Sequence, residues 1–227
     1  MKLSILVPVY NEIATIDELI KRIKSVKLSI EKEIIVVDDG STDGTRDFLS
    51  RLSDEQIKVL FHDRNMGKGR AIRTALKKAT GSIIIIQDAD LEYDPKDYVR
   101  LLEPIIQGKS SVVYGNRRSE GMKKSYNRFY WGGRLVTAIT NFLYRAGIHD
   151  EPVCYKLFKK EVLDSITLKC EGFEFCPEVT AKVCRAGHGI CEVPISYNPR
   201  SFSQGKKINW RDGLYAIWVL LKYKFID

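Results

Sequence analysis

The sequence predicts an α/β fold, a mostly parallel sheet flanked by helices, with a less regular C-terminal portion. Three observations carry this. Strand-like segments alternate with stretches of helical periodicity through the N-terminal half, each strand runs directly into a polar loop, and Ile83-Ile84-Ile85-Ile86 is a β-branched run too short for a typical helix. Such alternation indicates βαβ units, whose crossover helices place successive strands in parallel.

The first strand spans Leu3 to Val9, and a helix from about Thr15 follows. Thr15 and Glu18 have capping-box spacing, and Ile16, Leu19, Ile20, Ile23 and Val26 form a stripe to lay on the sheet. Ile34 to Val37 is the second strand and runs into Asp38-Asp39-Gly40-Ser41-Thr42-Asp43-Gly44-Thr45, a dense turn signal that can also start a helix. Ile57 to Phe61 is the third, followed by Asn65-Met66-Gly67-Lys68-Gly69 and a helix through Ala71, Ile72, Ala75 and Leu76. After the isoleucine strand come a helix from Pro95 to Gln107, a strand at Ser111 to Tyr114 and the loop Gly115-Asn116-Arg117-Arg118. Beyond it lie a basic, aromatic helical stretch from Tyr126 to Arg145, strands at Tyr155 to Phe158 and Ile190 to Ser196, a short helix near Glu161, and a helix from Asp212 to Tyr223. The segment Glu171 to Glu178 carries no clear element.

With 227 residues, 44% hydrophobic and 29% charged, the chain can bury a substantial core as one domain, divided into residues 1–118 and 119–227. Its net charge of +8 suits a phosphate-bearing or anionic-membrane partner. The apolar N-terminal run is broken by Pro8 and lacks a cleavage pattern, and no apolar segment reaches the roughly 20 residues of a membrane span. A cytoplasmic protein is expected. The five cysteines lack a Cys-x-x-Cys pair and read as reduced, packed thiols rather than a zinc site with His188. His62, His149 and His188 carry no evident role and are expected to be structural or exposed.

Chemistry concentrates where the isoleucine strand ends. Asp88, Asp90 and Glu92 fall at the carboxyl end of a strand, where ligands collect in open α/β sheets. Crowded carboxylates there are relieved by a hard divalent cation, Mg²⁺ or Mn²⁺, which would hold a diphosphate. The alternative is a solvated loop capping the helix near Pro95. Asp38 and Asp39 can accept bonds from a ribose hydroxyl or base N–H, or cap the next helix. The Gly67-Lys68-Gly69 segment lacks the Ser or Thr of a P-loop, and the first strand lacks a Gly-rich dinucleotide turn, which disfavours kinase-type ATPases and dehydrogenases.

The ordered set Val7-Pro8-Val9-Tyr10-Asn11-Glu12, Asp38 to Thr45, Asn65 to Gly69 and Asp88-Ala89-Asp90-Leu91-Glu92 resembles family 2 inverting glycosyltransferases of GT-A fold, most of all their dolichol- and polyprenyl-phosphate mannosyltransferase-like branch. The resemblance covers nearly the whole chain. It implies that Pro8, Tyr10, Glu12, Val37, Asp39, Lys68, Asp88, Ala89 and Asp90 line the nucleotide-sugar site, with Asp90 and Glu92 as metal ligands; the branch often has Gln in place of Glu92. It further implies that Arg117, with Arg128 or Arg134, meets the acceptor phosphate, that Glu178 matches an acidic catalytic position, and that Arg200 with Lys206 or Lys207 closes over the donor diphosphate. Asp150 to Lys156 resembles an Asp-x-x-Ser-Gly-Tyr-Lys pattern with Val153 and Cys154 in place of its small residues.

The expected reaction moves a hexose from GDP-mannose or a UDP-hexose to polyprenyl phosphate. Arginines position an acceptor that is already an anion, so no strong base is needed. A hydroxyl acceptor on a glycan would instead require a carboxylate base, Glu178 or Asp150. An inactive basic membrane- or nucleic-acid-binding module is the reading from another class; acids at the mouth of a groove would repel a nucleic-acid backbone, so no nucleic-acid partner is expected. Apolar and basic residues of the stretches at 126–145 and 212–223 suit either interfacial helices, giving peripheral attachment at the inner face of a membrane, or core packing.

Overall fold

The computed structural model describes residues 1–118, 127–200 and 210–226. All seven expected strands form, β1 Lys2–Val9, β2 Glu31–Asp38, β3 Ile57–Phe61, β4 Ile83–Ile86, β5 Val112–Asn116, β6 Lys156–Lys159 and β7 Cys191–Pro194. They make one sheet in the order β3-β2-β1-β4-β6-β5-β7. Neighbours pair in parallel except at β6, which lies antiparallel to both β4 and β5.

This topology places the site. The carboxyl ends of β1, β2, β4, β5 and β7 all lie on one edge of the sheet, and the reversed β6 contributes its leading end there. Tyr10, Asp39, Asp88, Arg117, Asp150 and Arg200 are thus delivered to one edge from distant parts of the chain. The middle of the sheet is sealed on both faces: the isoleucines of β4 are at most 1% exposed, and each contributes about 1.5–3 kcal/mol of burial.

The helices are α1 Ile16–Ser25, α2 Thr45–Ser50, α3 Lys68–Leu76, α4 Tyr98–Ile106 after a 3₁₀ turn at Pro95–Asp97, α5 Asn127–Tyr144, α6 Lys160–Asp164, α7 Phe175–Arg185 and α8 Trp210–Phe225. Helix α1 buries the expected stripe of Ile16, Leu19, Ile20 and Ile23. Its capping box does not form: the Thr15 hydroxyl turns back to the Glu12 carboxylate (3.0 Å), and Glu18 pairs with Arg22 (2.7 Å). Helix α7 is unanticipated. Pro177 sits in its first turn, where a missing N–H costs nothing, and the helix is buried on most sides, so its sequence lacks the two-faced pattern of a surface helix.

Helices α5, α7 and α8 enclose a second, small core of Val136, Ala181, Val219, Leu220 and Tyr223. Part of the apolar surface of α5 and α8 is therefore packed inward, as one of the two expectations had it. The outer faces are apolar as well: Trp131, Leu135 and Phe142 on α5 and Trp210, Leu214, Trp218, Leu221 and Phe225 on α8 are all exposed.

At the opposite edge of the sheet, Glu33 ties β2 to the turn before β4. Its carboxylate accepts from the Ser4 hydroxyl (2.5 Å), the Thr80 amide (2.7 Å) and hydroxyl (2.9 Å), and Lys2 (2.9 Å). Burial alone would raise its pKa, but these donors together hold it down at about 2. Its stabilisation is then fully present above the ordinary glutamate range and is lost as pH falls from there toward 2. Glu33→Gln is expected to cost about 1–2 kcal/mol at pH 7 after solvent screening. Thermal unfolding across pH checks this: the gap between variant and parent should close in acid.

Candidate active site

The acidic loop after β4 is held from below and bent at its middle. Gln87 is fully buried, accepts from the hydroxyls of Tyr98 and Tyr155 (both 2.5 Å), and donates to the Asp88 carbonyl (2.9 Å). Leu91 takes a left-handed backbone (φ 61°), a strained choice for a branched residue that turns Glu92 back so that its amide meets Asp90 Oδ1 at 3.1 Å. Ala89 between the two aspartates is buried.

Each carboxylate at this edge has a cation or donor at hand. Lys68, on the first residue of α3, reaches Asp88 Oδ1 at 2.5 Å and Cys154 Sγ at 3.0 Å. Arg200, following β7, donates to Asp90 Oδ2 (2.8 Å) and to both oxygens of Glu12 (3.2 and 3.1 Å). Glu92 accepts from the Arg200 amide (2.9 Å) and the Tyr197 hydroxyl (2.9 Å). Even so, burial, followed by the charges of Asp88 and Glu92, pushes the Asp90 carboxyl up to about 7. The loop carries more negative charge than its surroundings readily support. Among the described residues, no three His, Cys, Asp or Glu side chains converge to hold a metal ion unaided. Asp90 and Glu92 still suit Mg²⁺ or Mn²⁺, hard ions that take one or two carboxylates and complete their shell with phosphate oxygens and water.

On the donor side, Pro8 pairs with the fully buried Val37 across β1 and β2, and Tyr10 follows at the strand end. Asp39 is almost fully buried and already well supplied: Oδ1 lies 2.6 Å from His62 Nδ1 and 2.9 Å from the Met66 amide, and Oδ2 accepts from the Gly67 amide at 2.8 Å. His62 is buried, and its other nitrogen meets the Thr74 hydroxyl (2.9 Å). Neither Asp38 nor Asp39 caps α2, whose N-cap is Gly44 with no side-chain bond; the Asp43 carboxylate just before it accepts from the Thr45 amide (3.0 Å) and hydroxyl (2.6 Å). Gly67 (φ 93°) presses its backbone against residues 171–172, where a Cβ would stand 2.3 Å from the Glu171 carbonyl oxygen. Asp39, His62 and the Gly67 turn thus form one built unit beside the acidic loop.

On the acceptor side, Arg117 is gripped in a fork by Asp150, Nε to Oδ2 at 2.7 Å and Nη2 to Oδ1 at 2.8 Å. Its remaining Nη1 donates to the Tyr93 hydroxyl (3.3 Å), and its guanidinium lies 5.0 Å from the Tyr197 ring centre. Asp150 is fully buried, which alone would raise its pKa, but Arg117 and then Arg118 hold it below the usual range. Arg134 stacks over Tyr130 and Trp131 on the exposed side of α5, and Arg128 lies in the first turn of that helix. Glu178 lies on α7. It is buried under the loop before α7, accepting from the amides of Lys169 (2.7 Å) and Cys170 (2.6 Å) and from Lys182 (2.8 Å). Lys206 and Lys207 lie outside the described residues.

The site therefore contains residues the motifs did not single out: Gln87, Tyr93, Asp150 as the partner of Arg117, Tyr197 and His62. His62, directly after β3, and Gln87, directly after β4, had a positional signal at the active edge.

A dolichol-phosphate mannosyltransferase from Pyrococcus furiosus is 28% identical over 211 residues, covering 91% of this chain and 59% of its own length. An undecaprenyl-phosphate 4-deoxy-4-formamido-L-arabinose transferase from Pseudomonas aeruginosa is 27% identical over 208 residues, covering 89% and 59%. The chain thus spans less than two thirds of these relatives. Among solved structures, glucosyl-3-phosphoglycerate synthase from Mycobacterium tuberculosis, in complex with Mn²⁺, UDP and phosphoglyceric acid, superposes with a TM-score of 0.76 at 21% identity, over 100% of this chain and 79% of the other. The shared architecture is the GT-A fold. The glycosyl transferase family 2 model matches residues 4–167, well over half the sequence, and the chain belongs to that family of glycosyltransferases.

Proposed function

We propose that the chain moves a hexose, with inversion, from a nucleoside diphosphate sugar, GDP-mannose or a UDP-hexose, to a polyprenyl phosphate. One observation carries the choice of acceptor. The two carboxylates that a hydroxyl acceptor would need as base are committed elsewhere, Asp150 to Arg117 and Glu178 to the loop before α7. An acceptor that arrives ionised needs only cationic positioning, and the Arg117 edge suits that. The two relatives named for dolichol and undecaprenyl phosphate support the same acceptor class.

In this reading Asp90 and Glu92 hold Mg²⁺ or Mn²⁺, which supplies charge to the departing diphosphate. Pro8, Tyr10, Glu12, Val37, Asp39 and Ala89 line the nucleotide side. Lys68 fixes Asp88, and Arg200, with Lys206 or Lys207, serves the diphosphate. Arg117 orients the acceptor phosphate, with Arg128 or Arg134 as the second phosphate arginine. Residues 1–118 form the donor half and 119–227 the acceptor half.

The test is transfer of radiolabel from GDP-mannose and UDP-glucose to a short-chain prenyl phosphate with Mn²⁺. Labelled lipid is the expected product; label found only in an added glycan would overturn the reading. A thermal-shift screen of the same donors identifies the nucleotide, because a ligand selective for the native state raises Tm.

The outer faces of α5 and α8 support peripheral membrane attachment at the cytoplasmic side. Trp210, Leu214, Trp218, Leu221 and Phe225 recur on one side of α8, Lys222 lies 5.1 Å from the Trp218 ring, and no helix among the described residues is long and apolar enough to cross a membrane. Trp218→Glu with Phe225→Glu is expected to reduce co-sedimentation with phosphatidylglycerol-containing vesicles by about tenfold or more, since apolar area is lost and negative charge gained.

A further inference from the structure

Residues Ile195 to Arg200 cross the site between its two halves and are pinned on both sides. The Ser196 amide donates to buried Asp97 (2.7 Å), the Asn198 amide to the Glu92 carbonyl (2.9 Å), and the Arg200 amide to the Glu92 carboxylate (2.9 Å). Between these anchors Tyr197 touches both centres of the proposed chemistry. Its hydroxyl donates to Glu92 Oε2 at 2.9 Å. Its ring lies 5.0 Å from the Arg117 guanidinium and 5.5 Å from the ring of Tyr93, whose hydroxyl accepts from the same arginine.

Arg117 is thus fixed edge-on by Asp150 and Tyr93, and its face is set by Tyr197. Glu92 is fixed by the amide of Arg200 and the hydroxyl of Tyr197. A cation arriving at Glu92 competes for the oxygen that this hydroxyl uses, so the hydroxyl must share the oxygen or release it. Either response moves the ring against which Arg117 rests.

We infer that Tyr197 is a positioning residue through which occupancy of the metal and donor site sets the presentation of Arg117 to the acceptor phosphate. The inference rests on the functional reading above for the roles of the two ends. It separates the hydroxyl, which carries the coupling, from the ring, which supports Arg117.

The experiment reads Arg117 directly. Its reactivity toward phenylglyoxal is followed by peptide mass with and without Mn²⁺ and GDP or UDP, in the wild type, Tyr197→Phe and Tyr197→Leu. Wild-type reactivity should change several-fold when Mn²⁺ and nucleotide are added. Tyr197→Phe should keep the unliganded reactivity and lose the change, and Tyr197→Leu should react faster in both conditions. In steady state, Tyr197→Leu should raise the prenyl phosphate KM by about tenfold, between the values of an exposed and a desolvated cation–π contact, with the donor KM nearly unmoved. Tyr197→Phe should abolish the dependence of that KM on donor concentration. A wild-type Arg117 indifferent to Mn²⁺ and nucleotide, or a Tyr197→Phe variant that still responds, overturns the coupling. The two readings fail separately: absence of labelled lipid from the wild type sinks the acceptor assignment, while the Arg117 measurement decides the coupling without any acceptor present.

Discussion

Asp90→Asn is expected to reduce sugar transfer on the order of a thousandfold while leaving the protein folded. The size follows from what the residue would do. The leaving diphosphate gathers negative charge in the transition state, and a group that holds its counter-ion acts there and little in the ground state. The folding half of the prediction comes from the electrostatics of the loop. Burial and the charges of Asp88 and Glu92 raise the Asp90 carboxyl to about 7, so its ionised form is a burden on the fold that Arg200 only partly relieves. Removing that charge should leave Tm unchanged or slightly higher, as expected where a site is maintained against stability. The rise in Tm caused by Mn²⁺ with a nucleoside diphosphate should disappear in the variant. Transfer at the parental rate by a folded Asp90→Asn protein would rule out the proposed metal position.

Much of this architecture was legible because its signals are local. The isoleucine run, the stripe of α1 and the acids after β4 each occupy a few consecutive residues, and the parallel topology then implies that the ends of β1, β2 and β4 share one edge. What was hidden depends on distance along the chain. Arg117 and Asp150 are 33 residues apart, and nothing in either neighbourhood announces the other. The sequence offers Asp150 as a base for a hydroxyl acceptor; its fork with Arg117 shows a carboxylate already fully engaged. Tyr197 and Glu92 are 105 residues apart and meet only because β7 adds to the sheet beside β5. The Gly67-Lys68-Gly69 turn resembled a phosphate loop in composition, yet the conformation of Gly67 serves a close approach to residues 171–172, a partner invisible from the motif. Helix α7 escaped for the opposite reason, since burial on most sides erases the periodicity by which helices are recognised.

The Arg117–Asp150 pair allows structural and functional roles to be separated by substitution. Arg117→Ala leaves the Asp150 carboxylate fully buried without its main counter-charge, and Asp150→Ala leaves a largely buried guanidinium without its fork. Each single variant is expected to lose about 3–5 kcal/mol of stability, the usual consequence of stranding one partner of a buried pair. Lost activity in either would then be uninformative. The double variant Arg117→Met with Asp150→Leu replaces both charges by apolar groups of similar bulk, and pairs treated this way commonly regain most of the lost stability. Its Tm should return close to the parental value. Transfer to prenyl phosphate should nevertheless remain at least about a hundredfold down, because a methionine cannot bind phosphate bidentately, while Tm still rises with Mn²⁺ and nucleotide because the donor side is untouched. Thermal unfolding and radiolabel transfer on the three variants decide the matter. A stable double variant with parental activity would show that the pair serves the fold alone, and the acceptor phosphate would then have to be met by other cations at this edge.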